Sequence, residues 1–356
     1  MITRSVSVGV VNHNGESYLK RTLEAVERLG SAVDDVLLID SGSTDGSLAL
    51  VREHFPRVRV LSLGANLGPG AARNRAIKEA EHDRVLLIDN DVEPLPGCIE
   101  ALSEALDGNP NAILAMAAVL YERAPDTVQH VGAYPHFLGT PALLDADAPV
   151  TRLDDAVRVV GSAITSCLIV DRGRFGDHRW FDERLFLYFE DHELGMRASI
   201  QGYDCLSVPS AQCLHRVGTI GVSIRQTGRF TPIRVRYTIR NRWLTILMLY
   251  QARTLFRFAP ALAVFEVLQL LGGVKKGWVG HWLWAAGSTV RTLPHVLRVR
   301  AAMRESRRRA DLDILKGGPF PFNKAMHRSA LDRAAQRILD VIADLNWRMA
   351  GGGRAP

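Results

Sequence analysis

Along the first ninety or so positions of the chain, short apolar runs alternate with longer stretches in which apolar residues recur at helical spacing. The runs at 6–11, 35–39, 58–62 and 84–88 predict strands, and the segments 18–29, 47–55 and 70–80 predict helices between them. Such alternation predicts a largely parallel sheet with helices on both faces. Ligands of these sheets collect at the carboxyl ends of the strands. Beyond about Leu95 the pattern loosens and longer loops are expected, until 159–163 and 167–170 restore strand-like runs. A helix then starts near Glu190 and continues through Leu194, Met196, Arg197 and Ile200. Residues 329–349 read as one more amphipathic helix, with "AGGGRAP" as a disordered end.

The polar residues that interrupt the pattern fall at equivalent places. Asn12-His13-Asn14 follows the first strand, Asp40-Ser41-Gly42-Ser43-Thr44-Asp45 the second, and Asp89-Asn90-Asp91 the fourth. In "VLLIDNDVEP" a strand that continued through the triplet would turn Asp89 and Asp91 to one face, where their charges repel unless a cation lies near them. A hard divalent ion answers that need; a solvated turn is the plain alternative. Ser43-Thr44-Asp45 also suits a helix cap. "NLGPGAARNRAI" opens a helix with two glycines and carries Arg73 and Arg75, a setting for phosphate, but without Walker or dinucleotide spacing. In "RWFDERLFLYFEDHELGMRASIQGYDC", Glu190 and Asp191 sit at a helix mouth behind the aromatic flank Trp180, Phe181, Phe186, Tyr188 and Phe189. Acids there also suit the helix dipole alone.

The composition, 47% hydrophobic over 356 residues, is that of a folded chain with room for one large domain or two. A net charge of +6 hides an asymmetry: residues 225–309 carry 17 Lys/Arg against only Glu266 and Glu305, so the remainder is net acidic. That division predicts a cationic part facing an anionic surface. Residues 255–274 are apolar but interrupted by Arg257, Pro260 and Glu266, short of a membrane-spanning helix. With Lys275, Lys276, Trp278, Trp282, Trp284 and the cations of 298–309, they predict helices lying in the membrane interface. No nucleic-acid-binding module accompanies the basic run, so nucleic acid is not expected as a partner. Cys98, Cys167, Cys205 and Cys213 form no disulfide framework, and buried free thiols in a reducing compartment are expected. Zinc on Cys205, Cys213 and His215 is disfavoured by the spacing. The apolar run near the N-terminus is too short for a secretory signal, so a cytoplasmic location is expected.

"VSVGVVNHNGESYLKRTLEAV", "VLLIDSGSTDGS", "NLGPGAARNRAI", "LLIDNDVEP" and "FDERLFLYFEDHELGMRASIQGY", taken in this order over roughly 5–220, resemble the inverting glycosyltransferases of family 2, and "YTIRNRW" resembles a stretch of bacterial rhamnosyltransferase-like members. The resemblance implies an α/β GT-A fold that binds nucleotide-diphospho-sugars, with a catalytic domain at 1–230, a basic, apolar helical region at 231–310 and a terminal helix and tail at 311–356. It further implies that Asp40 contacts the nucleoside while Asn12 helps to wall the base pocket. Asp89 and Asp91 would form a DxD motif, Asp91 binding Mg²⁺ or Mn²⁺ directly and Asp89 meeting the ribose or a metal-bound water. His215 would be a further metal or diphosphate ligand. Asp191 would be the catalytic base, with Glu190 fixing orientation. The loop 186–189 or the segment 218–231 would close over the site. The implied partners are a UDP- or dTDP-linked sugar, a lipid-linked or polysaccharide acceptor and an anionic membrane surface, at the inner face of the cell membrane. A polyprenyl-phosphate glycosyltransferase and a non-catalytic sugar-nucleotide-binding protein are the competing readings.

Overall fold

A computed structural model describes residues 5–176, 178–216, 230–320 and 329–351. The segment 218–231, expected to close over the site, lies outside the described residues except for Phe230 and Thr231, as does the tail beyond Gly351. The chain forms two compact units. One takes the described residues of Met1–Ala133, Leu143–Gly195 and Tyr203–Thr219, the other those of Tyr134–Ala142, Met196–Gly202 and Ile220–Pro356.

The first unit is built on β1 (Val6–Asn12), α1 (Glu16–Glu27), β2 (Val33–Asp40), α2 (Ser47–His54), β3 (Arg59–Ser62), α3 (Pro69–Glu79) and β4 (Arg84–Asp89). Each lies within two residues of its expected bounds. These strands pair in parallel in the order β4-β1-β2-β3, so their carboxyl ends share one edge: Asn12 pairs with Asp40, Val11 with Asp89, and Asp40 with Ser62. Val6, Val8, Val10, Leu38, Leu86 and Ile88 pack with Leu19 and Leu23 of α1 in one apolar core. On α3, Ala76 meets β1 at Gly9, where an added Cβ would stand 2.6 Å from that of Ala76. Arg73, one turn earlier on the same helix face, is thereby carried toward the functional edge.

Beyond β4 the observed chain differs from the loose loops expected there. It forms β5 (Val92–Pro94), α4 (Cys98–Gly108), β6 (Ala112–Tyr121) and β7 (Ala124–His130), with a separate ribbon of β8 (Ala133–His136) and β9 (Thr140–Leu143). β6, "AILAMAAVLY", has few β-branched residues, and burial on both faces overrides its weak strand propensity. β10 (Arg158–Val160), β11 (Cys167–Asp171) and β12 (Asp204–His215) complete a sheet ordered β10-β12-β6-β11-β4-β1-β2-β3. The sheet is mixed rather than mostly parallel, because β11 inserts antiparallel between β4 and β6. β12 runs parallel to β6, which brings its last residue, His215, to the edge where β4 ends. α5 (Arg172–Phe175) is a single turn, and α6 (Glu190–Ile200) starts in this unit.

The second unit contains α7 (Pro232–Leu249), α8 (Ala252–Lys275), α9 (Val279–Ser306), α10 (Asp311–Ile314) and α11 (Ala330–Met349). α8 runs through Pro260 and Glu266 as 24 residues, and by length and composition it can cross a membrane. Of the interruptions that make the sequence look too short, Glu266 has local partners: it accepts from Arg242 and, at 2.9 Å, from Trp243 Nε1, both on α7. Phe137, Phe258 and Trp347 form an aromatic cluster in the same unit, with Phe258 stacked on Trp347. Ser329 and Asp332 cap α11 reciprocally.

Candidate active site

The site assembles at the carboxyl edge of the sheet of the first unit. The loop after β2 folds back on β1 through Asp40, whose Oδ1 accepts from Asn12 Nδ2 at 3.0 Å and whose Oδ2 accepts from the Ser43 amide at 3.0 Å. Gly42 at φ 70° and Asn14 at φ 52° make the turns that allow this. Asp40 and Asn12 are therefore both buried, and they anchor the loop of the expected nucleoside pocket. The Oδ1 of Asn12 accepts from Asn90 Nδ2 at 2.8 Å, and the Asn90 carbonyl accepts from Thr22 at 2.8 Å. The middle residue of the acidic triplet is thus a clamp.

That clamp changes the relation between the two aspartates. β4 stops at Asp89 and the chain turns at Asn90 and Asp91, so the carboxylates are not successive positions on one strand face. Asp89 accepts from Arg73 Nη2 at 2.6 Å, while Asp91 Oδ2 lies 3.4 Å from His215 Nε2. β5 pairs antiparallel with β12, placing Val92 opposite His215 and Asp91 beside it. His215 Nδ1 lies 2.7 Å from Gln129 Oε1, so it carries the proton and donates. Nε2 then faces a carboxylate oxygen, where either a proton or a cation can sit between the two atoms.

These residues fit a divalent cation. Their 3.4 Å separation is near the ~3 Å between adjacent ligands of an octahedral ion with bonds of about 2.1 Å. Gln129 fixes the ring as an outer-shell partner does. Among the described residues no group of three or more His, Cys, Asp or Glu side chains is arranged around a metal position. Mg²⁺ and similar ions keep waters and take substrate phosphate oxygens, so two protein ligands suffice.

Arg73, expected at an open phosphate site, is instead almost fully buried as a brace. One Nη donates to Asp89 and the other to Glu190 Oε1 at 3.1 Å, and the guanidinium lies 5.7 Å from the Phe181 ring centre. It joins the end of β4 to the start of α6. Ahead of α6, Phe186, Tyr188 and Phe189 all have positive φ, which bulky residues adopt only under constraint. Gly68 at φ 88° makes room for that loop, since a Cβ there would stand 2.1 Å from the Phe186 carbonyl oxygen.

Glu190 and Asp191 differ in setting. Glu190 is buried, its Oε2 has no hydrogen-bond partner, and burial followed by the charge of Asp191 raises its pKa. Asp191 is partly exposed and accepts from the amide of His192 at 2.7 Å. Burial also raises its pKa, against the opposing pull of Arg73. Asp89 is raised in turn, by burial, with Arg73 opposing. Two residues were not foreseen. Gln129 has no local sequence signal, and its partner is 86 positions away. His192 is fully buried against Ser162 at 2.7 Å, and burial pushes its pKa down to about 3, so it stays neutral. The four cysteines are free and buried.

A mixed α/β sheet with acidic loops at its carboxyl edge and an acidic helix mouth beside them has the architecture of the GT-A fold. The family profile described as glycosyl transferase family 2 matches residues 7–152. The N-acetylglucosaminyl-diphospho-decaprenol L-rhamnosyltransferase of Mycobacterium tuberculosis is 34% identical over 242 residues, 60% of this chain and 76% of that protein. The chain belongs to glycosyl transferase family 2. The amylovoran biosynthesis glycosyltransferase AmsE of Erwinia amylovora is 21% identical over 227 residues, 62% of this chain and 79% of that one. In fold it is similar to S. aureus TarS 1-349, with a TM-score of 0.52 and 16% identity over 97% of this chain and 92% of that one. GalNAc-T7, solved with UDP, GalNAc and Mn²⁺, gives a TM-score of 0.55 at 15% identity, covering 82% of this chain and 57% of that one.

Proposed function

We propose that this glycosyltransferase moves a sugar, with inversion, from a UDP- or dTDP-linked donor to a hydroxyl of a lipid-linked saccharide. It works at the inner face of the cell membrane in the assembly of a surface glycan. The observation that carries the reading is the meeting at one sheet edge of the Asp91–His215 pair and the Asp89–Arg73–Glu190 brace beside Asp191. The acceptor class is supported by the mycobacterial relative, whose name specifies a diphospho-decaprenol substrate.

Asp91 and His215 would hold Mg²⁺ or Mn²⁺, with Asp89 behind them, and the bound ion would supply positive charge against the leaving diphosphate. Asp191, open to the cleft, takes the proton of the attacking hydroxyl, a contribution of about 10²–10⁴-fold. Glu190, buried and held by Arg73 at the start of α6, fixes the orientation of that helix mouth. Arg73 keeps both carboxylate groups in place. Asn12 and Asp40 shape the base pocket by holding the 41–46 loop. The cationic and apolar helices of the second unit meet the anionic membrane surface.

The test is thermal melting of the full chain with UDP, dTDP and GDP, each with and without Mn²⁺, beside Asp91→Ala. Binding to the folded state raises the melting temperature by mass action. A rise for UDP or dTDP that needs Mn²⁺ and disappears in Asp91→Ala is expected. Equal curves under all conditions would sink the reading.

A further inference from the structure

α11 is apolar on two sides. One side packs within the second unit, where Leu339, Ala343, Asn346 and Trp347 are buried. Asn346 Oδ1 accepts from the Ala261 amide at 3.1 Å and its Nδ2 donates to the Arg257 carbonyl at 2.8 Å, bridging two groups of α8 that stand four residues apart beside Pro260. Near the other end of α11, Lys275 Nζ of α8 donates to Asp332 at 3.0 Å. α11 is thereby fastened to α8 at both ends, and its second side is displayed on a fixed helix.

On that second side Leu331, Ile338 and Leu345 recur every seven residues, with Ala334 and Val341 three positions after the first two. All five are exposed, Ile338 to 52% and Val341 to 66%, so no described residue of the unit covers them. A seven-residue apolar repeat is the seam by which one helix packs along another. The charges decide between a bilayer and a protein as the occupant. α11 carries Arg333, Arg337 and Arg348 against Asp332, Asp340 and Asp344, so it has no net charge to draw it to anionic lipid. α9, by contrast, carries Arg291, Arg298, Arg300 and Arg304 before its first acid, Glu305.

The partner that matches this seam is its own copy. When two identical helices pack antiparallel about a two-fold axis, the two series of the repeat face each other, Ile338 against Val341 and Leu345 against Ala334 of the second copy. That register sets Arg337, on the flank of the seam, beside Asp344 of the second copy, and the symmetry makes the same pair again. Asp344 holds Arg348 at 2.9 Å yet keeps 49% of its side chain exposed, so its carboxylate is open to a second cation. A parallel pair would set Arg337 opposite Ile342 and lose both ion pairs. Arg348 takes the next place of the seam, its stem lying over Leu331 of the second copy and its guanidinium in water. We propose that α11 is the surface through which this chain forms a two-fold antiparallel dimer. A single helix pair about 30 Å long is a small interface, so dissociation on the order of micromolar is expected.

The test is sedimentation velocity of the full chain from about 1 to 100 μM, a range that brackets such a dimer. The wild type is expected to pass from monomer to dimer. Ile338→Asp sets a charge in two layers of the seam and is expected to weaken the dimer at least about 100-fold, with circular dichroism unchanged. Leu345→Asp serves if the first variant does not fold. Arg337→Asp alone and Asp344→Arg alone each turn both ion pairs into like-charge contacts and are expected to weaken the dimer about tenfold, whereas the double variant regains it. A wild type that stays monomeric over the whole range overturns the proposal, as does association that Ile338→Asp leaves unchanged or a double variant no tighter than the single ones. A monomeric wild type whose binding to phosphatidylglycerol vesicles falls in Ile338→Asp also overturns it, because α11 would then face lipid.

Discussion

Replacing Arg73 with Met removes the cation shared by Asp89 and Glu190 while keeping most of the apolar stem. The guanidinium is 3% exposed in its side chain and its two contacts measure 2.6 and 3.1 Å. Breaking a buried ion pair by removing one partner costs about 3–5 kcal/mol, because the other charge stays buried. Here the remaining partners can take protons. Burial already raises the pKa of both Asp89 and Glu190, and loss of Arg73 raises them further. A carboxylate whose folded pKa lies above its unfolded value binds protons more readily in the native state, so its contribution to stability is complete at low pH and is lost as pH rises through the folded value. The defect of Arg73→Met is therefore largest above the ordinary carboxylate range and shrinks on acidification. Urea denaturation followed by circular dichroism at pH 8 and pH 5 reads it. The expected loss at pH 8 is about 3 kcal/mol, with a smaller loss at pH 5. A loss below about 1 kcal/mol at pH 8, or one that grows toward acid, refutes the brace.

Gln129→Leu removes the acceptor that fixes His215, and Mn²⁺ affinity measured by calorimetry in the presence of UDP is expected to fall about 10–100-fold. Equal affinity would mean that the ring needs no such support. The pH profile of kcat/KM is expected to rise on its acid side above the ordinary range for aspartate, since burial raises the pKa of Asp191 and the base must be unprotonated. An acid limb at or below pH 4 contradicts that assignment. Gly68→Ala places a Cβ against the Phe186 carbonyl in a left-handed conformation, and a loss of more than about 1 kcal/mol in urea denaturation is expected. A loss within about 0.5 kcal/mol would show that the loop before α6 can shift freely.

The parallel half of the sheet was legible because β1, β2 and β4 are compact aliphatic runs that end in polar residues, and their helices begin where glycine, proline or aspartate breaks the run. The mixed half was not. β6 is rich in alanine and methionine, so burial rather than propensity makes it a strand, and the reversal of β11 leaves no local signal. At the site, the acidic residues could be named from their places at strand and helix ends. Their partners could not. Arg73 reaches Glu190 across 117 positions, and Gln129 reaches His215 across 86. The expectation that Asp89 and Asp91 share one strand face assumed that the strand continued, whereas the Asn90 clamp on Asn12 and Thr22 turns it. The loop 186–189 reads as a plain aromatic flank, and the close approach of Phe186 to Gly68, with positive φ at Phe186, Tyr188 and Phe189, has no local signal.

The most direct test of the account is transfer itself. Wild type and Asp191→Asn are incubated with Mn²⁺, UDP- and dTDP-sugars and a prenyl-diphospho-N-acetylglucosamine acceptor, and the product is read by mass spectrometry and by the anomeric coupling in its NMR spectrum. The account predicts one added sugar of inverted configuration, with kcat about 10²–10⁴-fold lower in Asp191→Asn while the melting temperature and donor binding persist. A product of retained configuration, or full activity in Asp191→Asn, would contradict it.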